Sequence, residues 1–267
     1  MHRKRTNEIR SFSVIEVIML QIQPLFKNIT EYEALCEKYG LNYEVLEFSM
    51  GNAATGAEDY YKNCGRVKSI HGAFIDVNPG SSDAAFRELS EKRCSESCDL
   101  AMRLGAENVV FHSSCFPFLR GAYIENWAAL CADFYTRLAE QYPALSLLIE
   151  NSLDIDPVPI KMLTDKISAG NVGVCLDIGH INYSRAALDE WFEVLGDRVR
   201  YLHISDNYGI YDDHITLGSG TVDWAKASRL TKYLPAETPV TLEVGGIESI
   251  ESSVEFLKAN GFFGGLI

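Results

Sequence analysis

Residues 145–177 read LSLLIENSLDIDPVPIKMLTDKISAGNVGVCLD, and this stretch decides the fold. It opens on one apolar run (LSLLIE, 145–150) and closes on another (VGVCLD, 172–177). Between them a proline-led helical stretch over 157–169 stops before Gly170. Both runs are short and rich in Leu, Ile and Val, the pattern of strands buried on both faces. Strand, helix and strand in that order predict a parallel pair joined by a right-handed crossover. Each run ends in a carboxylate, Glu150 and Asp177.

The same alternation continues outward in both directions. Strands are predicted at 19–24 (MLQIQP), 43–48 (YEVLEF), 67–71 (VKSIH), 107–112 (ENVVFH), 199–205 (VRYLHIS) and 239–244 (PVTLEV). Helices are predicted at 29–39, 83–104, 124–142, 184–195, 223–233 and 248–260. Gly40, Gly105, Gly196 and Gly261 stop four of them, Pro143 stops another, and Asp83 and Ser184 begin two. Residues 51–66 are the least regular. Eight strands, each followed by a helix, close into a single (β/α)8 TIM barrel, which uses about 250 residues. The barrel is assigned to 14–267. Residues 1–13 are read as a flexible N-terminal extension, or as a start placed early, with Met19 as the alternative. No GxGxxG follows the first strand, which removes the main support for a dinucleotide-binding fold.

Composition narrows the function classes. The 267 residues carry 24 Lys+Arg against 37 Asp+Glu, a net charge of −13, which disfavours a general electrostatic grip on nucleic acid or an anionic membrane. No run of about 18 apolar residues marks a transmembrane span. The stretch 12–22 is broken by Glu16 and lacks a signal-peptide cleavage site. Seven cysteines without a CxxC pair read as reduced, mostly buried thiols in a cytoplasmic protein.

The histidines and acids carry the chemistry through their positions. His71 and His112 end strands three and four, and His203 lies near the end of strand seven. His180 follows strand six, and His214 lies in the loop after strand seven. Glu150 and Asp177 end strands five and six, Glu243 lies near the end of strand eight, and Asp212 precedes His214 by two residues. In a parallel barrel all these places open onto the C-terminal face. A lone buried histidine is ordinarily a satisfied core residue, but five at the same end of the strands call for a shared cause. Imidazole and carboxylate together suit Zn²⁺, Mn²⁺, Fe²⁺ or Co²⁺ better than Ca²⁺ or Mg²⁺. A buried cluster of Glu150, Asp177 and Glu243 needs cations or protons to offset its own repulsion.

The segments IHGAFIDVNPGS (70–81), VVFHS (109–113), LIEN (148–151), LDIGH (176–180), LHISDN (202–207), DDHITLGSGTVDW (212–224) and LEV (242–244) resemble the xylose isomerase-like barrels. That superfamily contains sugar isomerases and epimerases together with endonuclease IV-type apurinic endonucleases. For the epimerase branch the resemblance implies one metal, often Mn²⁺, on Glu150, Asp177, His203 and Glu243. Glu150 and Glu243 would double as acid and base, and His180 would touch the substrate. For the endonuclease branch it implies three zinc ions on nine ligands, His71, His112, Glu150, Asp177, His180, His203, Asp212, His214 and Glu243.

The segments 72–86, 151–160 and 204–222, which ring the mouth, contain no Lys or Arg. A nuclease groove needs phosphate-gripping side chains. The expected function is therefore a metal-dependent isomerase or epimerase of a small sugar, keto-sugar or sugar phosphate, with one to three divalent ions, Zn or Mn. The alternatives are an endonuclease IV-like zinc phosphodiesterase and a catalytically silent sugar-binding barrel. The partner expected is a small-molecule sugar, with no nucleic acid and no membrane; a homo-oligomer is compatible with the sequence. Trp224 and Phe74 are candidates for pocket walls and Arg120 for a phosphate or carboxylate grip, against plainer roles in packing and at the surface. The same choice holds for Phe116, Phe118 and Arg185. Gly218 and Gly220 suggest a tight loop. Gly245-Gly246 precedes a helix where a phosphate could sit, although Glu248 and Glu251 oppose an anion there. Glu47, near the end of strand two, could join the mouth or pair with a basic neighbour.

Overall fold

The computed structural model describes residues 20–51, 53–235 and 237–264. The proposed extension and Met19 lie outside them. Eight parallel strands close into a barrel in chain order, each hydrogen-bonded to its neighbour and β1 to β8. They are β1 (Leu20–Ile22), β2 (Asn42–Val45), β3 (Val67–His71), β4 (Asn108–His112), β5 (Ser146–Glu150), β6 (Val172–Asp177), β7 (Val199–Ile204) and β8 (Val240–Leu242). Nine α-helices are found among the described residues: α1 (Ile29–Tyr39), α2 (Ala57–Asn63), α3 (Ala84–Leu104), α4 (Ala122–Gln141), α5 (Val158–Thr164), α6 (Ile178–Asn182), α7 (Leu188–Leu195), α8 (Trp224–Thr231) and α9 (Ile247–Asn260).

Local chemistry explains most boundaries. Asp83 and Asp223 accept the backbone N–H of Phe86 and Lys226 and begin α3 and α8. Gly40, Gly105 and Gly261 adopt left-handed conformations and end α1, α3 and α9. Three expectations are corrected. Strand two ends at Val45, because the chain turns with Ser49 N–H donating to Leu46 O. The helix expected over 157–169 stops at Thr164. Ser184 does not begin a helix: α7 starts at Leu188, and the Ser184 hydroxyl instead accepts from the Trp191 indole N–H at 3.2 Å. The irregular stretch after strand two contains α2.

Two layers of core result. The larger lies between the barrel wall and the helices. Inside the barrel, Val110, Leu148, Cys175 and Tyr201 form a separate apolar cluster. Across from it Glu44, Ser69 and Thr241 are fully buried, and all three hydrogen-bond to the Tyr201 hydroxyl. The barrel middle is thus apolar on one side and polar on the other. Six of the seven cysteines are buried, Cys64 is partly so, and all are free. No helix among the described residues is long and apolar enough to cross a membrane.

Candidate metal centre

The inward residue at the top of each strand from β3 to β7 is a potential metal ligand: His71, His112, Glu150, Asp177 and His203. Glu243 follows β8 directly and continues the ring. The strand register fixes the neighbours, with His112 opposite Glu150 and Asp177 opposite His203. Asp177 also caps α6, accepting the His180 N–H at 2.6 Å, which turns that histidine over the ring. Asp212 and His214 reach in from the loop after β7, where His214 takes a positive φ of 46°. All nine positions expected from the sequence therefore converge on one mouth.

They fall into three groups whose donor atoms lie within 4.8 Å of one another: Glu150, Asp177, His203 and Glu243; His71, His112 and Glu150; and His180, Asp212 and His214. In the first group His203 Nδ1 lies 2.8 Å from Glu150 Oε1 and 3.2 Å from Glu243 Oε1. Oε2 of Glu150 and Oδ2 of Asp177 are buried and accept no hydrogen bond. His71 Nε2 and His112 Nε2 approach that Glu150 oxygen to 3.5 and 3.3 Å. Buried carboxylate oxygens without donors, beside imidazole nitrogens, fit a divalent ion of the zinc or manganese type.

The electrostatics divide the acids. Burial disfavours the Glu150 anion, but His203 and His112 outweigh it and hold its pKa well below the usual range. Burial pushes Glu243 up to about 7, with Glu150 and Asp177 adding to the rise against the pull of His203. Burial brings His112 down to about 3, which keeps it a neutral imidazole. Burial also disfavours the His180 cation, yet Asp177, Asp212 and Glu150 drive its pKa well up.

A cleft of about 490 Å³ opens beside this centre. Glu243, His214 and Phe74 line it with Leu25, Met50 and Ile75, and no Lys or Arg among the described residues takes part. The Phe74 ring stands 4.9 Å from both His71 and His112. Gly245 and Gly246 border the same cleft. Glu47 also lines it, held by the Tyr61 hydroxyl at 3.0 Å and the Phe26 N–H at 3.2 Å rather than by a basic partner.

Two candidates fall elsewhere. Trp224 is buried and outside the cleft lining, because its indole N–H donates to Asp206 at 2.9 Å. Arg120 is exposed and borders a separate depression with Phe116 and Phe118. The Arg185 guanidinium stacks over Phe118 at 4.8 Å.

Three contributors escape the sequence reading. Asn151 clamps Asp177 by accepting its N–H at 2.8 Å and donating to its carbonyl at 3.0 Å, and the Asn151 carbonyl lies 2.6 Å from His180 Nδ1. Asp206 ties the loop after β7 together, accepting from Gly218 N, Val222 N and Trp224 Nε1. Glu44 contacts His203 from below, with Oε2 3.0 Å from Nε2. A charged residue inside an otherwise apolar strand was the signal for Glu44.

Known proteins fit this picture. The protein MJ1311 of Methanocaldococcus jannaschii is 27% identical over 71% of this chain and 68% of its own. Among solved structures, the TTHB071 protein from Thermus thermophilus, from a crystal soaked with ZnCl2, superposes with a TM-score of 0.76 at 23% identity over 91% of this chain and 97% of that one. A D-tagatose 3-epimerase-like protein gives 0.77 at 21% over 91% and 96%. Endonuclease IV from Thermus thermophilus gives 0.65 at 18% over 90% and 98%. These likenesses show the barrel, shared by epimerases and an endonuclease. The family model described as xylose isomerase-like TIM barrel matches residues 11–260, and the chain belongs to that family.

Proposed function

We propose that the protein is a metal-dependent isomerase or epimerase acting on a small sugar or keto-sugar. Glu150, Asp177, His203 and Glu243 would hold the ion, and the two glutamates would move the proton. The observation that carries this reading is geometric: Glu150, Asp177, His203 and Glu243 offer donor atoms within 4.8 Å of one another, and Glu243 opens onto a cleft that no Lys or Arg among the described residues lines. Isomerisation by proton transfer needs one carboxyl to take a proton from carbon and a second to return one, both within reach of the bound substrate.

A bound divalent ion supplies electrostatic stabilisation of charge developing on adjacent substrate oxygens. Glu150 would take the proton from the carbon between them. Glu243, in the cleft, would return one from the other face. His180 and His214 would hold hydroxyl groups, and Phe74 would exclude water from one side. The lining disfavours a phosphorylated substrate, since an anionic group would meet Glu47 with no Lys or Arg among the described residues to pair it.

A multinuclear phosphodiesterase is the second reading, favoured by the further groups His71–His112–Glu150 and His180–Asp212–His214. Turnover of a panel of unphosphorylated ketoses in D2O separates the two. Deuterium entering the recovered sugar supports the isomerase. Metal-dependent nicking of an abasic oligonucleotide at catalytic enzyme levels, without sugar exchange, overturns it. Metal binding with neither product supports a silent binding barrel.

A further inference from the structure

His203 is held from two sides. Its Nδ1 faces the candidate ligands Glu150 and Glu243, and its Nε2 faces Glu44, on the far side of the barrel in β2, at 3.0 Å. Glu44 is fully buried. A carboxylate so placed is costly unless donors surround it. Its Oε2 receives the Tyr201 hydroxyl at 2.8 Å and the Thr241 hydroxyl at 2.9 Å besides His203. Its Oε1 receives Gln23 Nε2 at 2.9 Å. Ser69 completes the set, 2.9 Å from the Tyr201 hydroxyl. Residues of β2, β3, β7 and β8, with Gln23 just past β1, thus close around one carboxylate.

One Glu44 oxygen also lies within 4.8 Å of donor atoms on His71, His203 and Glu243. A role as a further ion ligand is disfavoured, because Oε2 already meets three donors from this chain and Oε1 is held by Gln23. Gln23 has a second partner. The same amide nitrogen donates to Glu243 Oε1, so its two N–H bonds join Glu44 to Glu243.

We propose that Glu44 is the positioning residue of the metal centre: it accepts the Nε2–H of His203, leaving Nδ1 to face the ion, and through Gln23 it sets the carboxylate of Glu243. The inference rests on the metal reading of the site and is independent of the reaction catalysed. Two physical effects follow from the geometry. A neutral imidazole can carry its proton on either nitrogen, and a carboxylate fixed at Nε2 selects the form with a bare Nδ1. Electron density donated through the ring would make Nδ1 a stronger donor to a bound ion. Without Glu44, neither the ring's tautomer nor the orientation of Gln23 is fixed from below.

The test uses the full chain, as wild type and as Glu44→Gln, Gln23→Leu and Tyr201→Phe. Zinc affinity is read by competition with a chromophoric chelator, and the His203 ring by long-range ¹H–¹⁵N NMR of the zinc-loaded protein. Glu44→Gln is expected to weaken the tightest zinc site about ten- to a hundred-fold, and to move the Nε2–H resonance upfield. Gln23→Leu and Tyr201→Phe are expected to weaken it about three- to ten-fold, as losses of one supporting hydrogen bond. Wild-type affinity with an unmoved resonance in Glu44→Gln overturns the proposal. Should that variant not fold, unchanged affinity in both other variants overturns it equally. Failure of the wild type to bind zinc overturns the metal reading and the proposal with it, an outcome distinct from the other two.

Discussion

Glu150 and Glu243 flank a single imidazole nitrogen, Nδ1 of His203, at 2.8 and 3.2 Å, yet their carboxyls are driven in opposite directions. Glu150 also has His112 and His71 beside it, whereas Glu243 has Glu150 and Asp177 as neighbours. The opposite directions are a property of what surrounds each carboxyl. Replacing Glu150 by Gln is expected to lower turnover at least a hundred-fold, the usual contribution of a positioned acid or base. It is also expected to abolish solvent deuterium incorporation; normal exchange in that variant would remove Glu150 from the chemistry.

Metal content distinguishes the two functional readings. Protein purified without added metal is expected to hold one equivalent by elemental analysis if only the Glu150–Asp177–His203–Glu243 group is filled, and three if all groups are. Stripping the ion with a chelator should lower the melting temperature. An ion present at about 1,000 times its Kd stabilises by about 4 kcal/mol, and each kcal/mol moves Tm by about 2–4 °C in a chain of this size. An unchanged Tm after verified removal would contradict the assignment of these buried acids to a metal.

Asp154 offers a pH test beside the centre, in the loop after β5. Its Oδ2 accepts a 2.5 Å hydrogen bond from the Ser113 hydroxyl, and Oδ1 is buried without a partner. Burial raises its pKa to about 6, against the pull of Ser113 and the backbone N–H of Ser152. A carboxyl with a folded pKa above its unfolded one destabilises the protein when ionised, so its penalty is absent below the unfolded pKa near 4 and grows as pH rises toward 6. Asp154→Asn is therefore expected to be more stable than wild type at pH 7.5, by on the order of 1–3 kcal/mol. The gain should fade toward pH 4. A variant equally destabilised at both values would refute this account.

The loop after β7 depends on close approach. A side chain at Gly220 would put its Cβ 2.3 Å from both the Asn207 carbonyl oxygen and Oδ1 of Asp206. Asp206 is the hub that holds Gly218, Val222 and Trp224. Gly220→Ala is expected to cost about 3 kcal/mol in chemical denaturation. It should also loosen ions held by Asp212 and His214 before those held by Glu150 and Asp177.

Arg120 serves as a control. It borders a depression formed by the β4–α4 and β5–α5 loops, separate from the cleft beside Glu243. Arg120→Ala is expected to change KM for an unphosphorylated sugar less than two-fold, whereas the usual loss of a charged hydrogen bond to a ligand is about ten-fold.

Legibility varied with the range of the interaction that decides each feature. β3 and β6 begin and end where the apolar runs do, and their terminal His71 and Asp177 stand in the mouth. These are local matters of pattern and alternation. YEVLEF misleads because its apolar spacing continues past Val45, where the chain has already turned; attention then falls on Glu47 and misses Glu44. The role of Glu44 depends on His203, 159 positions away, which no local pattern contains. Trp224 misleads for a similar reason. Its place beside a glycine-rich loop suggests a pocket wall, while its indole is committed to Asp206. The nine potential ligands were readable because the barrel turns a one-dimensional rule, the ends of strands, into a shared location.

The sealed thiols give this barrel a built-in clock. A water-soluble disulfide reagent meets only Cys64 at the surface of the folded chain, while Cys36, Cys94, Cys98, Cys115, Cys131 and Cys175 react as quickly as their surroundings open. Cys175 sits in the innermost layer, against Val110, Leu148 and Tyr201. The rate at which its sulfur becomes modifiable therefore counts how often the staves themselves part, separately from the looser breathing of the helices outside.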